Sequence, residues 1–324
     1  MNQLFASLLA QQVAQPVAPQ SPTATVLVGI LVVLAGFIGV NYFTRTGSIA
    51  RATLKEAIRQ PVFILLAILG VIIGIANYYL PFFSLGDDTK MFIDCGLATT
   101  QICALILAIW TASLSVAEEI EGKTAITLLS KPVTRREFIL GKYFGIIQAA
   151  FWMIVIVGSA LVFLTYFKFG FDQKEMGKEL LEYFEWRGNI PYPQKERLEV
   201  ALTLLPGLAL IFFEAAVMSA VSVAISTRMP MIVNMTACFS IFIVGHLMPV
   251  LVKGALQDIP FVPFVAQFFA TVLPALEVFN MSAAVSTGKM IPPAYVLSTA
   301  AYAVVYSTAI VLLSFILFED RDLA

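Results

Sequence analysis

Seven stretches of about 20 residues carry almost no charge: roughly Ala24 to Phe43, Pro61 to Leu80, Gly96 to Val116, Gly141 to Phe167, Ala201 to Ser226, Met231 to Val252 and Pro293 to Phe318. A helix rises about 1.5 Å per residue, so about 20 apolar residues cross a hydrocarbon core of about 30 Å. Backbone polar groups find no water there, and a spanning segment must satisfy them internally, which favours helices. Hydrophobic residues make up 59% of the chain and charged residues only 13%, far from the balance of a soluble domain. The expected fold class is an all-α integral membrane protein with several spanning helices.

The same composition excludes several functions. A net charge of -1 argues against a globally basic nucleic-acid binder. The three cysteines, Cys95, Cys103 and Cys238, lie in or beside apolar spans and suggest neither a disulfide framework nor a metal cluster. His246 is the only histidine, which makes a His-based metal site or a Ser/His/Asp triad a poor expectation. A lone polar residue near a helix end is the plainer interpretation of it. A further apolar stretch, Ile259 to Phe279, is interrupted by Pro260, Pro263 and Pro274, too often for a clean span. It is expected to form a broken, re-entrant or interfacial hairpin.

Loop charge sets the expected orientation. Arg45, Arg51, Lys55 and Arg59 follow the first span, Lys123, Lys131, Arg135, Arg136 and Lys142 follow the third, and Arg228 follows the fifth. These loops are expected in the cytoplasm, with the amino terminus outside and residues 319–324 inside. Residues 1–23 hold no charged side chain and are expected to be a flexible tail, with a cleaved leader as the alternative. Residues 168–199 form the one sizeable external loop, in which Lys174 to Trp186 suggest a short surface helix. In residues 44–60, Arg51, Lys55 and Arg59 share one face, and Ala50, Leu54, Ala57 and Ile58 offer an apolar flank, as an interfacial helix needs.

The densest charge in the first half lies between two spans, at Ala117 to Gly145. Ala117, Gly122, Lys123 and Thr124 fit a loose phosphate-loop pattern, but such a loop needs a strand delivering a glycine turn to a helix amino terminus. Here a membrane helix precedes it, and Glu118, Glu119 and Glu121 put negative charge where phosphates would sit. Local geometry gives a better account. Thr134-Arg135-Arg136-Glu137 is a capping box, Pro132 stops the preceding helix, and Val133 and Phe138 flank the cap as a hydrophobic staple. The expected order is helix, sharp turn, helix, with Ala125, Leu128 and Leu129 on one apolar face; a solvated loop of positive-inside arginines is the alternative.

The run EEIEGKTAITLLSKPVTRREFILGKYFG, with Glu118, Glu119, Glu121, Gly122, Thr124, Leu128, Leu129, Ser130, Pro132, Thr134, Arg135, Gly141, Lys142 and Tyr143, closely resembles the cytoplasmic coupling segment of ABC-2-type transporter permeases. Leu273 to Asn280 resemble that family's external re-entrant element, and Phe318 to Asp322 its charged tail. The resemblance implies a six-helix permease core over residues 61–318, with the coupling segment at 117–142 and the re-entrant stretch at 259–280. Residues 24–43 then supply one extra amino-terminal helix.

The resemblance also implies a membrane-spanning permease of an ATP-driven exporter in the bacterial cytoplasmic membrane, not itself an enzyme. ATP and magnesium would bind in a separate ATP-binding subunit, with no cofactor or metal in this chain. Two permease chains, identical or related, would face each other among membrane lipid. Glu118, Glu119, Glu121, Lys123, Arg135 and Arg136 are the expected docking residues, with Lys142 either a docking residue or a snorkelling anchor. Glu214, a carboxylate inside a span, is a pathway candidate, the alternative being a protonated side chain bonded to a neighbouring helix. Glu277 is a gate candidate or a cap on a broken helix, whereas Asn77, Gln148 and Asn234 suit helix packing. An intramembrane enzyme has only Glu214 and His246 to work with; a non-transporting scaffold that recruits an ATPase for cell-envelope work is the other functional alternative.

Overall fold

The computed structural model describes residues 22–80, 88–121, 134–170, 177, 182–187, 190–253, 273–289 and 291–319. Helix α1 (Pro22–Phe43) turns into the short α2 (Thr46–Arg59), and α3 (Pro61–Tyr79) follows at once. Gln60 is the extended break between them, and Pro61 opens α3 at a position where a missing N–H costs nothing. Helix α4 (Asp88–Ala112) runs on through a π-helical turn (Ser113–Glu118) to Glu119–Glu121. Next come α5 (Arg135–Lys168), strands β1 (Phe184–Arg187) and β2 (Ile190–Pro193), α6 (Lys195–Leu202), α7 (Leu204–Ser226) and α8 (Met231–Lys253). A 3-10 turn (Leu276–Phe279), α9 (Ser282–Ser286) and α10 (Pro293–Glu319) complete the described chain.

Among the described residues, six helical stretches are long and apolar enough to cross a membrane: α1, α3, α4 with its π turn, α5, α6–α7 and α10. The 23-residue α8, apolar along Met231–Leu247, coincides with the remaining expected span. The protein is an all-α integral membrane protein. Its core lies where α4, α5, α7 and α10 meet, around Phe92, Leu97, Ile146, Leu161, Leu210 and Phe318. Large apolar side chains on the outer faces, such as Leu31 and Val32 of α1, Leu65 of α3 and Leu297 of α10, are exposed, as lipid-facing residues are.

Helix α5, with 34 residues, is about 50 Å long and exceeds a hydrocarbon core of about 30 Å. Its ends therefore need polar partners outside the apolar layer. At its start, the Thr134 hydroxyl accepts from Glu137 N at 3.2 Å while Thr134 N donates to Glu137 Oε2 at 2.8 Å. At its end, the fully buried Arg197 of α6 donates through Nη1 to Tyr166 O at 3.1 Å and to Phe169 O, and stacks 4.3 Å from the Tyr183 ring. A guanidinium over the last carbonyls of a helix also opposes the negative end of its dipole. Lys168 Nζ donates to Tyr78 O at 3.1 Å, tying the same end to α3.

Helix α2 lies against the first turns of α5. Its buried face is Gly47, Ile49, Ala50, Thr53 and Ala57, so its apolar contacts are with protein, and Ile58 of the expected flank is exposed. Gly141 and Gly145 of α5, four residues apart, allow the approach. A Cβ on Gly141 would stand 2.6 Å from Ile49 Cβ, and one on Gly145 would stand 2.6 Å from Thr53 Cβ and 2.8 Å from Ala50 O. Small residues spaced by four let helix backbones touch, and packing of this kind drives association where lipid is as apolar as the side chains.

One expectation fails. Phe184 to Trp186, anticipated as the end of a surface helix, are strand β1, antiparallel to β2 with Phe184 opposite Pro193 and Trp186 opposite Pro191. The alternation of Phe184 and Trp186 with Glu185 and Arg187 has a period of two, and Gly188-Asn189 between the runs favours a turn. Residues 1–21 of the tail, 122–133 of the coupling segment, 259–272 of the re-entrant stretch and 320–324 of the end lie outside the described residues.

Replacing Gly145 by valine should lower thermal stability in detergent by about 1–3 kcal/mol, the usual cost of overpacking, whereas Gly29→Ala on α1, with nothing within 4 Å of the new Cβ, should not. Paired melting curves followed by intrinsic fluorescence check this; equal melts would mean that the α2–α5 contact is looser than the geometry indicates.

Candidate functional site

The charged end of the bundle is organised by Lys142. It lies on the second turn of α5 and is 3% exposed. Its Nζ is 2.6 Å from Glu119 Oε1, at the end of α4, and 4.0 Å from Glu56 Oε2 on α2. The ammonium also stands 5.6 Å from the Phe138 ring centre. One cation thus clasps three helices. Burial pushes the Glu119 carboxyl above the ordinary carboxylate range; the Lys142 ammonium opposes that shift and Glu56 adds to it. An ion pair in such a place is held by geometry, because breaking it strands a desolvated charge.

The arginines divide. Arg135 Nη1 donates to Phe318 O at 3.0 Å and to Glu319 O at 2.9 Å, so it caps the end of α10. Arg136 reaches Glu319 at 3.9 Å, but both side chains are about 70% exposed and the pair is a weak surface contact. Glu118 is exposed at the end of the π turn. Glu121 ends the helical segment, and its side chain and Lys123 lie outside the described residues. Of the anticipated docking residues, Glu119, Arg135 and Lys142 are therefore engaged within the chain, and Glu118 and Arg136 face outward.

Behind this end, buried amides fix the helices. Asn234 Nδ2 of α8 donates to Ser113 Oγ at 2.8 Å and to Ser222 Oγ at 2.9 Å, holding the start of the π turn against α7 and α8. Asn41 and Gln148 exchange two amide hydrogen bonds, of 2.9 and 3.2 Å, which secure α1 to α5. π-helical turns break the regular bonding of a helix and recur at functional sites. This one precedes the segment anticipated to couple.

Deeper in the bundle, Glu214 of α7 is 2% exposed. Its Oε2 accepts from Gln101 Nε2 of α4 at 2.6 Å, and its Oε1 lies 3.5 Å from His246 Nε2 of α8. Three helices thus bring polar side chains together inside the apolar layer. Glu214 is the expected pathway candidate, whereas Gln101 and the lone His246 join it only in the fold. The signal for His246 is that the one histidine and the one carboxylate well inside a span fall in adjacent spans. Glu277 is exposed on the 3-10 turn, which Tyr295 OH and Tyr302 OH fasten to α10 through Val278 O at 2.7 Å and Ala275 N at 2.9 Å. Among the described residues, no group of three or more His, Cys, Asp or Glu is arranged to hold a metal ion.

A bundle of long apolar helices, with a clasped charged end and a buried carboxylate inside, defines a multi-pass membrane protein. A family model described as ABC-2 family transporter protein matches residues 47–323. The chain belongs to that family. The match begins at α2 and leaves α1 outside it. Comparison with curated proteins gives no match. The family consists of membrane permeases of ABC transporters, which work with an ATP-binding subunit.

Lys142→Met should destabilise the protein by about 3 kcal/mol, because Glu119 would be left partly buried without its cation. The double variant Lys142→Met/Glu119→Gln should recover most of that loss, so thermal or denaturant unfolding of the full cycle would return a coupling energy well above zero. Additive losses would show that the two side chains do not act as a pair.

Proposed function

We propose that this chain is the membrane-spanning permease subunit of an ATP-driven exporter in a bacterial cytoplasmic membrane, coupled to hydrolysis in a separate ATP-binding subunit that holds ATP and magnesium. The single observation that supports this most is the clasp of Glu119, Lys142 and Glu56. It joins α4, α5 and α2, and its Glu119 and Lys142 lie within residues 117–142, the segment anticipated to receive the ATPase. A push on that segment acts on α4 and α5 through the chain and on α2 through the clasp. The charged end would then face the cytoplasm, in keeping with the loop arginines and lysines.

In this proposal the contacts with the ATPase fall to the outward-facing Glu118 and Arg136, together with Glu121 and Lys123, through charge complementarity. Glu119, Arg135 and Lys142 transmit rather than touch, since their charges are already satisfied inside the chain. A second permease copy, or a related permease, would complete the transporter. Glu214 would stand in the pathway and Glu277 at its outer gate.

The charge-reversed variant Glu118→Lys/Arg136→Glu should reduce co-purification of the ATP-binding subunit roughly ten-fold, with its own melting temperature unchanged. Undiminished co-purification and ATPase stimulation would overturn the docking assignment. Reconstituted vesicles address transport itself: ATP-driven movement of a solute supports export, and none across a broad panel favours a scaffold recruiting an ATPase for cell-envelope work.

A further inference from the structure

The contact between Glu214 and the chain's only histidine has a chemical requirement beyond burial. His246 Nδ1 lies 3.1 Å from Phe242 O. A carbonyl oxygen only accepts, so Nδ1 carries the hydrogen of that contact. In a neutral imidazole, Nε2 is then a bare lone pair, and it stands 3.5 Å from Glu214 Oε1. Among the described residues, neither Oε1 nor Nε2 has a hydrogen-bond partner, and both atoms are buried. Two acceptors facing each other repel. One proton between them, on Oε1 as a carboxylic acid or on Nε2 as an imidazolium, turns the contact attractive.

Gln101 Nε2 occupies the other carboxyl oxygen at 2.6 Å, so Oε1 is the oxygen left to take a proton. Beside Gln101 opens a cleft of about 20 Å³, lined by Leu97, Gln101, Phe279, Asn280, Met281 and Ser282 among others. That volume holds a single water and is far too small for an organic cargo. Asn280, at the end of the 3-10 turn, is exposed, and the neighbouring Glu277 is exposed and close enough to act on Glu214 electrostatically.

Other titratable groups around this stretch of α7 are phenols and a thiol, uncharged near neutral pH. Tyr143 OH of α5 donates to Ala216 O at 3.4 Å, and Cys238 of α8 with Tyr302 and Tyr306 of α10 pack in the cluster around Val217 and Met218. Among the described residues, no lysine or arginine pairs with Glu214. The charge of the site is therefore set by the pair itself and by Glu277.

We propose that Gln101, Glu214 and His246 form an intramembrane proton-binding site, whose Gln101 borders the cleft that opens at Asn280, and which loads and unloads during the transport cycle. The site stands on its own geometry; its link to a transport cycle rests on the exporter reading. Loading transfers a proton from hydronium in the cleft to the pair, releasing water. Passage within the pair breaks the Oε1–H bond, forms Nε2–H and leaves the net charge unchanged. A second proton gives imidazolium beside a neutral acid.

Because His246 is the only histidine, selective ¹⁵N-histidine labelling of the full chain, purified on a histidine-free tag into lipid nanodiscs, yields one imidazole to follow by NMR. Nδ1 should remain protonated while Nε2 titrates. Glu214→Gln should lower the imidazolium fraction at a given pH about ten-fold or more, since an opposite charge at this range is worth about 1–3 pH units. Gln101→Met, which keeps both partners and removes only the donor that steadies the carboxylate, should shift it the same way by less. Identical titrations in wild type and both variants, or loss of the Nδ1 proton, would overturn the site. In proteoliposomes with pyranine trapped in the lumen and ATP hydrolysed outside in strong buffer by the ATP-binding subunit, an ATP-dependent change of lumenal pH abolished by Glu214→Gln supports the link to the cycle. Permease-stimulated ATP hydrolysis with no pH change overturns that link and leaves the exporter reading standing.

Discussion

The pairing of Lys142 with Glu119 is the contact on which the charged end of the bundle depends. α5 is too long for the apolar layer and carries a lysine on its second turn, where a neighbouring helix covers it. A buried ammonium without a partner is untenable, so α4 must end where its glutamate reaches α5, and α2 must lie where Glu56 completes the clasp. Gly141 and Gly145 make the second condition possible by removing the side chains that would hold α2 away. Charge and close packing thus fix one arrangement together, the cation setting where the helices meet and the glycines setting how near.

The same constraint recurs wherever polarity enters the bundle. Arg197 closes the far end of α5, Arg135 closes α10, Asn234 secures the π turn, and Asn41 with Gln148 secures α1. Each of these side chains finds its partner on another element, and a buried polar group left without one would carry the cost of its desolvation. These contacts make a set of specific latches on a bundle whose remaining packing is apolar and weakly directional. A force delivered between α4 and α5 meets latches at α2 and at the π turn, while the outer helices are held by fewer polar ties.

Glu214 belongs to the same economy of partners but is not fully satisfied by it. Gln101 serves one carboxyl oxygen, while the other faces an imidazole nitrogen whose own hydrogen is committed elsewhere. Where other buried polar groups are static, this pair needs a proton that can come and go. That difference separates it from the structural latches and connects the interior to the exposed turn at Glu277 and Asn280.

Local chemistry was legible in the chain itself. The spans follow from hydropathy over about 20 residues, and the capping box of Thr134 and Glu137 from residues three apart, since both interactions are contained within the stretch that encodes them. The external segment differs for a related reason: the period of two from Phe184 to Arg187 spans only four residues, and pairing with residues 190–193 makes it a strand. Partnership across helices was not legible. Nothing in the order of residues joins Gln101 to Glu214 to His246, or sets Arg135 on the carbonyls of α10 rather than in solvent. Sequence alone determined which stretches are apolar enough to lie in the membrane and where the capping box starts α5. Only the tertiary structure decided which polar groups meet there, because those encounters depend on how helices far apart in the chain rotate and approach one another.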